Sequence, residues 1–253
     1  MADVAEFNAE PVARVNISEE VADRIRGSIL RGEISPGEKL PSERVLAQKF
    51  GTNRNTLREA LRMLEAQGLI SIRQGLSAEV LDFRDTANLS LLPHYLEQAG
   101  DTPEVFGLVR DLYRIRMDFN VQVARQAAEV VSAEGREDLL GLLAELKRCR
   151  KDAGAVMDLD IRIYRVLVRE TGSLVNMWAF NSFVPLHRFV TSKAPEGWTH
   201  PDFYFEKIEK VVRAVVAGRA KAAERSMRDL LVRMDELMFD LLDEFERNIR
   251  ESK

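Results

Sequence analysis

The 253-residue sequence is short of most residues that carry covalent or metal chemistry. It has one cysteine, Cys149, which excludes an internal disulfide framework and a multi-cysteine zinc site. That scarcity fits a reducing, cytoplasmic compartment. Its three histidines, His94, His187 and His200, stand far apart and in no ligand spacing. There is no HExxH, P-loop, GxSxG or glycine-rich dinucleotide loop, so no motif points to an enzyme. Cys149 lies among bases in LKRCRKD, which can lower a thiol pKa, but no histidine is near it in sequence and it reads as an incidental thiol. Fourteen glycines and eight prolines are too few for a low-complexity chain. No apolar run approaches the roughly 20 residues of a membrane span. The opening MADVAEFNAEPVARVN has no apolar core and does not read as a signal peptide.

What is present is an ordinary core-forming composition, 45% apolar and 31% charged, enough for one large or two modest domains. The formal charge of −4 argues mildly against nucleic acid, but local charge placement matters more than the sum.

Residues 1–14 read as a flexible arm. Helical periodicity begins at SEEVADRIRGSILRG, with Ser18 as N-cap and Val21, Ile25 and Ile29 on one face. Gly32 and Ser35-Pro36-Gly37 stop it. Pro41 and Ser42 open a short helix that ends at Gly51. Thr52 caps the next, whose stripe is Leu57, Ala60, Leu61 and Leu64, with Gly68 closing it. The period then changes to two: LISIR, a turn at Gln74-Gly75, and SAEVLDF predict a hairpin. From 85 onward only helical stretches follow, at 86–99, 103–131, 133–150, 155–171, 173–192, 202–217 and 219–249. The expected architecture is therefore mainly α. A winged helix-turn-helix spans 15–84, and an all-α helical-bundle sensor and dimerisation domain spans 85–253.

The short helix after Gly51 is the candidate DNA reader, because a major groove about 12 Å wide admits one helix whose first residues meet base edges. Its start carries Thr52, Asn53, Arg54, Asn55, Thr56 and Arg58, all able to hydrogen-bond, while the buried stripe begins only at Leu57. Arg54 is the first candidate for a bidentate guanine contact and Arg44 the next. Ser42, Thr52, Thr56 and Arg58 read as phosphate contacts that set register. Arg73, Gln74 and Gly75 at the wing tip could reach a minor groove. The competing reading of any one of these residues is a solvated helix start. Between Arg44 and Arg73 bases outnumber acids.

The stretch PGEKLPSERVLAQKFGTNRNTLREALRMLEAQGLISIRQG resembles the DNA-binding domain of GntR-family transcriptional regulators. The matching features are the PG turn, LPSER, the helix pair around FG, the TLREAL helix and the GLI strand with its basic-Gln-Gly tip. The helical remainder resembles the FadR subgroup, and FRDTANLSLL resembles the linker of fatty-acid-responsive members. The resemblance implies a cytoplasmic homodimer on a double-stranded operator, switched by an effector in the bundle.

Many proteins of the subgroup hold a divalent metal with an aspartate, a histidine four residues later and two further histidines. Here the aspartate position falls on Asp160, and the imidazole positions fall on Tyr164, Ile208 and Leu230. The expectation is therefore no metal and no cofactor, with the effector shifted towards a fatty acyl-CoA or a related lipid-derived molecule. A small organic acid is the alternative. Candidate effector contacts are Arg114, Asp160, Tyr164, Leu231, Met234 and Met238, methionine suiting an adaptable cavity. The last-helix stripe also reads as plain core, and Arg114 also reads as a surface ion pair with Asp111 or Asp118. The rival functions are an enzyme and a helical interaction module whose winged domain binds protein.

Overall fold

The computed structural model describes residues 17–73, 77–98, 102–192 and 199–251, and divides into two compact units, 1–98 and 99–253. The arm and the wing tip at Gln74 and Gly75 lie outside the described residues.

In the first unit α1 (Ile17–Leu30), α2 (Glu43–Lys49) and α3 (Arg54–Ala66) precede a hairpin of β1 (Ile70–Ser71) and β2 (Glu79–Val80). The strands are antiparallel, pairing Ile70 with Val80 and Ser71 with Glu79. Backbone at 37–40 adds a third edge, with Leu40 N–H donating to Ala78 and Val80 N–H to Glu38. Val21, Ala22, Ile25 and Ile29 of α1 meet Leu57, Ala60, Leu61 and Leu64 of α3 in one dry cluster closed by Ile70, Val80 and Leu91. The i, i+3/i+4 recurrence on both helices produces this contact.

Three boundaries differ from the sequence reading. The first helix already includes Ile17, so Ser18 is a buried helical residue rather than its cap. The cap of α3 is Asn53, not Thr52. The stretch 86–99 is not one helix: α4 (Phe83–Thr86), a 3-10 turn at Leu89–Leu91 and α5 (Leu92–Gln98) replace it. These pieces fold onto the first unit, whose limit is Gln98 rather than 84. The reason is the carbonyl end of α3. Thr86 Oγ1 donates to Gly68 O and Asn88 Nδ2 to Ala66 O, both at 2.7 Å, so the chain leaving the wing satisfies groups that a helix end leaves open.

The second unit is all helical: α6 (Pro103–Val130), α7 (Ala133–Arg148), α8 (Ala153–Glu170), α9 (Leu174–Ser192), α10 (Asp202–Val216) and α11 (Ala220–Glu251). Side chains of Thr102, Ser132 and Asp152 cap α6, α7 and α8. Ala124, Leu139, Leu146, Ile163, Leu167, Ile208, Val212 and Met227 form the centre of its separate core. No described helix is long and apolar enough to cross a membrane.

Gly68 (φ +78°) sits against the backbone of Thr86, and a Cβ there would overlap the Thr86 carbonyl. Gly68→Ala combines that overlap with a left-handed cost of about 1–2 kcal/mol, and should lower the unfolding midpoint of the first unit in a denaturant titration. Gly32→Ala, at φ +73° with open space around it, should cost only the backbone part.

Candidate functional site

The N-terminus of α3 is built to be satisfied locally. Asn53 is extended (φ −83°, ψ 162°) and its side chain accepts from Thr56 N–H at 2.9 Å, so the helix starts at Arg54 with its cap already made. Leu57, Ala60 and Leu64 are fully buried on one side, and Arg54, Asn55, Arg58 and Arg62 are exposed on the other. Arg44, Arg54, Arg62 and Arg73 are exposed, and none has an ion-pair partner among the described residues. Arg58 differs, since its Nε lies 2.9 Å and 3.1 Å from the two Glu43 carboxylate oxygens. Ser42 is exposed at the N-cap of α2 and its hydroxyl makes no capping bond. Thr52 and Thr56 are half-buried. Arg62 was missed by the sequence reading, although its i+4 spacing from Arg58 signals the same face.

The second constellation is a cavity of about 50 Å³ in the bundle, lined among others by Arg116, Asn120, Asp160, Tyr164, Phe183 and His187. Arg116 bonds Asp235 of α11 through Nη2 and lies 4.5 Å over the Tyr113 ring, while its buried Nε has no acceptor among the described residues. Asp160 accepts from the Tyr204 hydroxyl and lies 4.0 Å from His187 Nε2. The His200 ring stacks on Tyr204 at 4.5 Å. Tyr164 donates to Met227 Sδ at 3.5 Å, a soft partner for a buried hydroxyl.

Burial dominates the electrostatics. It pushes the Asp160 carboxyl up to about 6, against the opposing pull of the Tyr204 hydrogen bond and Arg116. Asp235 is likewise pushed up to about 6 by burial, with Arg116 opposing. Burial and the nearby Arg116 bring His187 down to about 4, and burial brings His200 down to about 4, so both rings are neutral at pH 7.

The sequence-predicted effector residues are only partly brought together. Asp160 and Tyr164 line the cavity. Arg114 does not: it is exposed and pairs with Asp111 at 2.9 Å, and Arg116 is the arginine on the lining. Leu231 is core, Met234 packs against the core, Met238 is half-buried, and none of the three lines the cavity. His187 and His200, far apart in sequence, converge around Asp160 and Tyr204. Ile208 and Leu230 are buried core residues. Among the described residues, three metal-type donors gather within reach of one another only at Glu19, Asp23 and His94.

Residues 17–80 match the family described as bacterial regulatory proteins, gntR family, and residues 111–233 match the FCD domain. The chain is 33% identical to the HTH-type transcriptional regulator Mce2R of Mycobacterium tuberculosis, over 88% of this chain and 91% of that one. This chain belongs to the GntR family. It is a DNA-binding transcriptional regulator of the GntR type with an FCD domain, and its relatives are named as regulators rather than enzymes. Two further relatives are the fatty acid metabolism regulator protein of Shewanella amazonensis and the repressor NanR of Cronobacter sakazakii. The first is 29% identical over 73% of this chain and 75% of that one, the second 31% over 66% and 63%. The solved structure of Lar, titled as controlling the agr system of Listeria monocytogenes, matches at TM-score 0.56 and 18% identity, over 92% of this chain and 100% of that one. That likeness shows a shared mainly α fold.

A carboxyl raised from 3.8 to about 6 holds its proton in the folded state at pH values where the unfolded chain has lost it. Its contribution to stability is therefore full below about 3.8 and lost as pH rises through about 6, with an upper scale of about 3 kcal/mol for two units. Asp160→Asn keeps an acceptor for Tyr204 and removes the charge. It should melt several degrees higher than the parent at pH 8, with the gap shrinking by pH 4.5. A gap independent of pH would contradict the raised carboxyl.

Proposed function

We propose that this regulator works in the cytoplasm as a two-fold dimer on a palindromic operator and that an acid bound in the bundle switches its occupancy. Two half-sites about one helical turn apart need two recognition helices related by a two-fold axis. The observation that carries the DNA side is the exposed, unpaired Arg54 on the first turn of a helix whose cap is already satisfied. Arg54 takes the base contact, with Asn55 and Arg44 beside it. Ser42, Thr52, Asn53, Thr56, Arg58, Arg62 and Arg73 set register on phosphate, and Gln74 and Gly75 belong to the wing that carries Arg73 towards the groove.

On the effector side, the fatty acid regulator among the relatives supports a lipid-derived ligand such as an acyl-CoA. The cavity supports a shorter one. At about 50 Å³ it has room for only a few water-sized groups. Its lining pairs an incompletely bonded guanidinium with Phe119, Phe180, Phe183 and Val184. We therefore read the effector as a short carboxylic acid with an apolar end, a full acyl-CoA requiring the helices to part. Repression by operator occupancy, relieved by the acid, is the simplest mode for such a switch.

Two measurements test this. On a duplex selected in vitro, Arg54→Ala should lose about 1–3 kcal/mol of discrimination at one base pair, whereas Arg62→Ala should weaken all duplexes alike and lower the salt slope by about one. Calorimetry with short-chain acids and with acyl-CoAs should give binding to the former that Arg116→Met abolishes. Tight acyl-CoA binding with no short-acid binding would reverse the effector assignment.

A further inference from the structure

The DNA-reading unit contains a fully buried arginine whose partners come from three helices. Arg26 of α1 is 0% exposed. Its Nε donates to Gln67 Oε1 at 2.9 Å, and Nη2 donates to Glu19 Oε1 at 3.3 Å. Nη1 donates to Asp23 and also lies 3.0 Å from His94 Nδ1. Gln67 is the C-cap residue of α3 and His94 lies on α5, so one guanidinium joins the end of the recognition helix and α5 to α1. The donor atoms of Glu19, Asp23 and His94 lie within metal-binding reach of one another, and the cation they surround is this guanidinium.

The contact with His94 has a direction. A guanidinium offers only donors, so Nδ1 must accept and the ring is neutral with its proton on Nε2. Burial and Arg26 push the His94 pKa below its ordinary value, while Asp23, Glu19 and Glu97, the acids that face it, pull the other way. The attachment of α5 is otherwise thin. None of its residues is fully buried, and among the described residues its other ties include His94 Nδ1 3.6 Å from Asp23 Oδ1, Gln98 Nε2 to Asp23 O at 3.4 Å and the Tyr95 ring 5.9 Å from Phe83. An element held by few apolar contacts opens at low cost. It is also the last element of this unit, ending at Gln98, where the chain continues towards the bundle sequence.

We propose that Arg26 and His94 form a latch through which α5 positions the recognition helix, so that operator affinity depends on whether the segment 92–98 is docked. The proposal rests on α3 being the DNA-reading helix. Arg26 and His94 are then positioning residues: they touch no DNA and act through the Gln67 end of α3. An apolar pair would fill the same space at no cost in buried charge. A polar latch instead gives two discrete arrangements, bonded and released, which is what a coupling element requires.

The test uses the full chain and two variants at His94, leaving the buried Arg26 intact. His94→Leu removes the acceptor, while His94→Asn keeps one close to the Nδ1 position and does not titrate. On a duplex selected from a random pool with the parent protein, His94→Leu should bind about tenfold more weakly at pH 7.5, a coupling of ordinary size. His94→Asn should bind within about twofold of the parent, the spread of an undisturbed contact. Through the ordinary imidazole range the parent should keep its affinity relative to His94→Asn and lose it only at lower pH, because burial and Arg26 oppose protonation and a protonated ring no longer accepts from Arg26. Hydrogen exchange without DNA should show His94→Leu losing protection at 92–98 and at 64–69 together. Parent-like affinity for His94→Leu, or an Asn variant as weak as the Leu variant, overturns the latch. If the parent selects no duplex, the assignment of α3 fails instead. The exchange experiment still decides the latch: loss at both segments upholds it, and loss confined to 92–98 refutes it.

Discussion

A helix that reads DNA must be dry on one side and fully available on the other, and α3 does both within 13 residues. The dry side is fixed by Leu57, Ala60, Leu61 and Leu64 against α1, with burial worth about 1.5–3 kcal/mol for each large side chain. The wet side is available because the cap is made by Asn53 alone, so Arg54 is not drawn into satisfying its own helix. Most of the rest of the unit holds this helix in place. The 37–40 edge and the hairpin close its core, and Thr86 and Asn88 bond the carbonyls at its far end. A helix satisfied at both ends presents its arginines from a rigid backbone, so the ordering cost of a groove contact falls mainly on the side chains.

The bundle solves a different problem, because its core tolerates charge. A helix–helix contact surface needs only apolar side chains for stability, and unpaired buried charge is costly. Yet Arg116, Asp160 and Asp235 lie in one neighbourhood beside neutral His187 and His200, with Arg116 bonded to Asp235 while Asp160 accepts from Tyr204. Arg116–Asp235 and Arg110–Asp243 both tie α6 to α11, so α11 is held along this edge by ion pairs as well as by packing. The effector proposed above would, by competing for Arg116, act directly on that attachment, a consequence that a purely apolar pocket of the same size would lack.

Much of this was legible in the sequence, and the failures have specific physical causes. Periodicity placed α3, α6 and α10 closely, because each has one long apolar stripe and a clear cap or break. It misjudged 86–99 because Thr86 and Asn88 are organised by the carbonyl end of α3, a contact invisible to local pattern. The sequence reading names Arg114 and passes over Arg116, yet two residues turn a helix by about 200°, so only one of them can face inward. The signal lay in the stripe itself: Val109, Tyr113 and Asn120 are buried, and Arg116 falls on the same face. Arg26 offers a similar signal, a charge one residue after the core position Ile25, but its partners Gln67 and His94 are 41 and 68 residues away. His187 and His200 were dismissed on sequence distance, which does not limit approach once α9 and α10 pack on the same aspartate neighbourhood.

The effector argument turns on what the missing imidazoles remove. Tyr164, Ile208 and Leu230 stand where the resemblance to metal-holding relatives would put three histidines, and that substitution pointed towards an apolar ligand. What it removes is a set of nitrogen donors, whereas recognition of an acid needs a positive charge and N–H groups aimed at it. The cavity retains both in Arg116, whose buried Nε has no acceptor among the described residues. An acid bound as proposed would meet the apolar wall of Phe119, Phe180 and Phe183 with its tail and the charge of Arg116 with its head.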